Sequence, residues 1–164
     1  MDILKLSQDW ARAELFSAKM VWILSALVLI SSIGFYYWGK TAMAKAFVIP
    51  LMICAVLLIP IGIGLYFANK PRIENFEKDY KANPTAFIQK EIERTAKSES
   101  DFKMVFRVLP AIIILASFIL LFMSSPNWRA SGISIILLMA FLMLLDSNTA
   151  ARNEVYRQQL LQHR

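Results

Sequence analysis

Four long apolar runs constrain this chain more than any other feature. They cover residues 20–38, 46–68, 108–123 and 130–145, and none contains Asp, Glu, Lys, Arg or His. A bilayer core is about 30 Å thick, and an α-helix needs roughly 20 apolar residues to cross it. The first two runs meet that length. The last two reach it by drawing on Met104-Val105-Phe106 and Trp128 in their flanks. Hydrocarbon leaves unpaired backbone groups unsolvated, so each run must be helical. The expected fold is all-α: a polytopic membrane protein whose four transmembrane helices form two hairpins. The first run reads as an uncleaved anchor. Nineteen residues that include acids precede it, and Tyr36-Tyr37-Trp38 follows where a signal peptide would carry small residues.

Charge gives the expected orientation. Of the 18 Lys and Arg, three lie in the arm (1–19), nine in the middle segment (69–107) and three in the tail (146–164). Only Lys40, Lys45 and Arg129 serve the two short connections. A division of 15 against 3 predicts a cytoplasmic arm, middle segment and tail, as in a multi-pass inner-membrane protein. The net charge of +6 therefore points to membrane lipids as partners rather than nucleic acid. The middle segment, with nine basic and seven acidic residues, is no phosphate-binding patch. A single cysteine, Cys54, excludes an internal disulfide.

The arm carries Ile3, Leu6, Trp10 and Ala13 at helical spacing, which predicts an amphipathic helix in the membrane interface with Trp10 at headgroup depth. An extension of the first span is the alternative. Tyr36, Tyr37, Trp38 and Trp128 are expected as anchors at the opposite interface. Pro60, Gly62 and Gly64 interrupt the second span. They read as a kink that admits a neighbouring helix, or as a hinge or a cation site made by freed carbonyls. In the middle segment Ile73, Phe76 and Tyr80 mark one helix and Asn83-Pro84 its end. A second helix from Pro84 is expected to run, bent near Pro110, into the third span. Phe76, Tyr80, Phe87 and Ile88 are candidate partner-binding residues. The tail is expected to continue the fourth span as a helix, either solvated or packed through Val155, Leu160 or Leu161 on Phe76, Ile88 or Ile92.

Little in the sequence carries chemistry. The one histidine, His163, is penultimate, which argues against a His-based catalytic or metal site. Glu91 and Glu93 lie about 200° apart around a helix and do not converge. Met139 and Met143 share a face at packing spacing. No catalytic residue, cofactor or metal ligand is expected, and the protein is expected not to be an enzyme. Asp146 reads as a boundary residue, and Ser25, Ser31, Ser32, Ser117, Ser131 and Ser134 read as seams between helices, with a water-lined pore as the alternative.

By topology, through the four spans and the 69–107 segment, the chain resembles immunity proteins that protect bacteria against pore-forming colicins and related membrane-targeting toxins. The resemblance implies stoichiometric binding of toxin helices within the bilayer, so that no pore assembles. It carries over no site residue. Two other readings compete: a structural or assembly subunit of a larger membrane complex, and a small channel or transporter.

Overall fold

The computed structural model describes residues 2–163, and they form five helices with no strand. They are α1 (Ile3–Trp38), α2 (Ala42–Ala46), α3 (Val48–Ala82), α4 (Pro84–Phe122) and α5 (Pro126–Leu161). The four long ones are each apolar and long enough to cross a membrane. Asp2, Thr41 and Asn83 begin α1, α2 and α4 by accepting hydrogen bonds from first-turn amides, while Pro84 and Pro126 stand at first-turn positions.

Two hairpins form, α1 with α3 and α4 with α5, joined through the extended Asn83. Helices α3 and α5 each touch all four others, whereas the backbone of α4 comes close only to α3 and α5 and reaches α1 through side chains. Each long helix has a membrane half and a polar half. In the membrane half α1, α3 and α5 pack through Val21, Cys54, Leu58 and Leu138. Water exclusion does not drive helices together in lipid, so close packing and interhelical hydrogen bonds hold this seam. Ser25 and Ser32 donate to the carbonyls of Ala55 (2.8 Å) and Val48 (2.7 Å) on α3. On the other hairpin Gly132 lets α5 approach Ala116 and Leu120 of α4.

Several sequence expectations change. The arm is not a separate interfacial helix. It is the first part of α1, and its buried stripe is Ile3, Ser7, Trp10, Ala11, Glu14, Ser17 and Ala18. Trp10, expected at headgroup depth, is 8% exposed, because the polar ends of α3, α4 and α5 surround it. Phe76, Tyr80, Phe87 and Ile88 do not form a free surface. Phe87 meets Phe76 and Tyr80 edge-on at 5.5 and 5.6 Å, and Ile88 packs on the same cluster. The Asn83-Pro84 turn folds α4 back so that these rings satisfy one another. The tail packs through Leu160, with Tyr156 beside it, while Val155 and Leu161 stay exposed.

Helix α3 runs through both Pro60 and Pro71, and α4 through Pro110, without interruption. The three hinge candidates separate. Pro60 is exposed, and Gly64 faces open space. Gly62 is buried, and a Cβ there would fall 2.4 Å from the Trp22 indole. Gly62 is therefore the position where Trp22 crosses α3. Gly62→Ala is expected to cost about 1–3 kcal/mol through overpacking. Gly64→Ala is expected to be neutral or to gain up to about 1 kcal/mol from helix propensity. Unfolding of both variants in detergent measures the difference.

Candidate functional site

The polar halves of all four long helices converge on a buried cluster of charge and aromatic surface. From α4 come Glu91 and Arg94, one turn apart. Arg94 forks onto the Glu91 carboxylate, Nε donating at 3.0 Å and Nη2 at 2.7 Å. Its guanidinium lies over the Trp10 ring of α1 at 4.1 Å. Tyr156 of α5 stacks on Trp10 at 5.6 Å with the rings 17° apart. The Tyr156 hydroxyl is 3.0 Å from Glu91 Oε2 and 2.8 Å from Ser7 Oγ. Arg72 of α3 approaches Trp10 at 5.6 Å and donates to Asn69 Oδ1 at 2.7 Å. Burial first, and the Arg94 charge second, depress its affinity for a proton.

A second ion pair extends the cluster toward the membrane half. Arg152 of α5 donates to Glu14 Oε1 of α1 through Nε (3.2 Å) and Nη2 (2.9 Å). Nη2 also reaches Ser17 Oγ and Thr149 Oγ1. Glu14 and Glu91 are each 2% exposed, so both carboxylates depend on these partners. Below them Asn153 donates to the Thr95 carbonyl at 3.0 Å, tying α5 to α4.

Depth follows from helix length. At 1.5 Å per residue, about 36 Å of helix separates Glu14 from Trp38, and the same separates Arg152 from Trp128. Tyr36, Tyr37, Trp38 and Trp128 are all exposed at the far end, where aromatic rings favour the interface. A hydrocarbon core of about 30 Å then places the Glu14–Arg152 pair in the opposite headgroup layer.

Chemically the cluster is a junction. Each carboxylate is matched by a forked guanidinium, and the aromatic rings fill the space between. Among the described residues no group of three or more His, Cys, Asp or Glu is placed to hold a metal ion. Glu93 faces solvent while Glu91 faces inward, as their angular separation requires.

Burial first, then the Glu91 charge, push the Tyr156 phenol upward from its ordinary value of 10.0. A neutral form favoured by folding gives stability that is complete below pH 10.0 and lost as pH rises through the folded value. The wild-type melting temperature is expected to fall more steeply above that pH than that of Tyr156→Phe. Equal slopes in a pH series would contradict this assignment.

Sequence reasoning missed Glu14, Tyr156, Arg152 and Asn153. One signal for Glu14 was available: it shares a helical stripe with Ile3, Trp10 and Ala18. An acid on an otherwise apolar or small face requires a counter-charge from another helix.

The fold and this junction define an all-α, multi-pass membrane protein with four spanning helices and a folded polar base. Comparison with protein-family models, curated proteins and solved structures gives no match.

Proposed function

We propose that this protein is a non-enzymatic binding protein of the bacterial inner membrane. It captures a membrane-inserted helix of a pore-forming toxin and blocks pore assembly, as immunity proteins do. The observation that carries this reading is the openness of α4. Only 6% of its most apolar stretch is buried, against 22% in each of the other three helices. Ile114, Leu115, Phe118, Leu121 and Phe122 are left to whatever occupies the bilayer beside them. The 15-to-3 division of basic residues supports cytoplasmic placement of the polar half and both termini.

The rivals draw less support. The residues that favoured a complex subunit, Phe76, Tyr80, Phe87 and Ile88, are engaged within the chain. Ser25 and Ser32, which would have to line a pore, bond to α3 carbonyls instead.

The test is photo-crosslinking in cells. A photoreactive residue at Leu115 is expected to capture an inserted toxin, and one at the buried Leu58 is not. Protection against a toxin without capture at α4, or capture only at the aromatic end, would overturn the reading. Orientation is checked separately in a Cys54→Ser background. An impermeant maleimide is expected to label a cysteine at Lys40, and not one at Gln162, on intact cells.

A further inference from the structure

One charge in the junction is left over. Glu91 is matched by Arg94 and Glu14 by Arg152, while the third guanidinium, Arg72, has no carboxylate within ion-pair reach among the described residues. Arg72 is nevertheless half-buried, and it shares the Trp10 indole with Arg94, at 5.6 and 4.1 Å. Two like charges are thus held against one ring. Burial first, and then the Arg94 charge, disfavour the cationic form of Arg72. The one protein acceptor it reaches is neutral, Asn69 Oδ1 at 2.7 Å.

Each of the two guanidiniums keeps an open edge. Nε and Nη2 of Arg72 and Nη1 of Arg94 have no hydrogen-bond partner among the described residues, and none of the three is a buried atom. They come from different helices, α3 and α4. Their depth follows from helix length. About 36 Å of helix separates Arg72 from Val48, and about 42 Å separates Arg94 from Phe122. A bilayer is about 40–45 Å thick with its headgroups. Arg72 also reaches back toward the bilayer, since Asn69 lies one turn nearer to it. The open edges therefore lie at headgroup depth.

We infer that Arg72 and Arg94 bind the phosphodiester of an anionic phospholipid in the adjoining leaflet. Arg72, Arg94 and Glu91 together carry one net positive charge, which a phosphodiester monoanion neutralises. Arg72 presents its Nε–Nη2 edge, the edge that forks onto two phosphate oxygens, and Arg94 adds a donor through Nη1. The bound phosphate relieves the repulsion between the two cations and ties α3 to α4, and so one hairpin to the other. A choline phospholipid brings its own cation beside the phosphate and leaves the surplus charge in place.

Melting of the full-length protein in nonionic micelles tests this, with phosphatidylglycerol, phosphatidylcholine or inorganic phosphate added in turn. Phosphatidylglycerol is expected to raise the wild-type melting temperature by about 5 °C more than phosphatidylcholine does, as for a ligand well above its dissociation constant. Arg72→Gln is expected to lose that difference. Without lipid it is expected to melt no lower than wild type, because the repulsion from Arg94 goes with the charge. Lys78→Gln removes an exposed charge from the same half of α3 and is expected to keep the full response. Inorganic phosphate is expected not to reproduce the shift, because no acyl chain holds it at headgroup depth. Equal shifts with the two lipids, an unchanged lipid response in Arg72→Gln, or an equal shift with inorganic phosphate would each overturn the inference. So would lipid-free Arg72→Gln melting well below wild type, which would make Arg72 a partner of the Trp10 indole alone.

Discussion

Arg152→Ala is expected to destabilise the protein by about 3–5 kcal/mol, because it leaves the Glu14 carboxylate buried without a counter-charge. Glu14 has no other cation within ion-pair reach among the described residues, and Ser17 and Thr149 also lose their shared donor. Arg152→Lys is expected to fall between, since an ammonium cannot fork to carboxylate and hydroxyls together. The double variant Glu14→Leu/Arg152→Leu is expected to recover most of the loss, because it removes both desolvation penalties with the pair. A double-mutant cycle from unfolding in mixed micelles measures the coupling. Additive single effects would mean that the pair is solvated.

Trp10→Ala is expected to cost a similar amount, about 3–5 kcal/mol for an excised core aromatic. The indole is stacked by Tyr156 on one side and approached by Arg94 and Arg72, so its loss opens a gap between all four helices. Trp10→Phe is expected to cost far less, because a ring remains and the indole N–H has no partner among the described residues to lose. An interfacial anchor would behave differently, tolerating alanine and remaining open to solvent. In a variant with Trp22, Trp38 and Trp128 replaced by Phe, Trp10 fluorescence is expected to be blue-shifted and resistant to iodide. Ready quenching would return Trp10 to the interface.

These two residues also show where sequence pattern stops being informative. The four spans, the turn at Asn83-Pro84 and the continuous α4 through Pro110 follow from local causes: run length, a residue disfavoured from helix before proline, and proline in a helix otherwise rich in good formers. The aromatic cluster at Phe76 and Phe87 was visible as residues but not as a contact, because each ring alone looks equally like a docking surface. Trp10 beside a span has the pattern of an anchor. What overrides it is the arrival of Tyr156, 146 positions later, and of Arg94 from a third helix. Glu14 and Arg152 are separated by 138 residues, so no periodicity within one helix pairs them. Local rules fixed the elements and their ends, and the polar junction arises only when the two hairpins meet.

Under the proposed function, the junction in turn gives α4 its role. It holds the polar half of α4 against α1 and α5 through Glu91 and Arg94, while the apolar stretch of α4 is the least buried of the four. Helix α4 is thereby fixed at its base with its apolar face open to the bilayer, which suits capture of an inserting helix.

Membrane potential in living cells tests this most directly. Cells expressing the protein are challenged with a panel of membrane-depolarising toxins, and the potential is followed with a voltage-sensitive dye. Wild type is expected to hold the potential against at least one toxin, and a variant with Leu115 and Phe118 replaced by Ala, inserted at equal level, is expected to lose that protection. Depolarisation by every toxin despite correct insertion, or full protection by the α4 variant, would contradict the account.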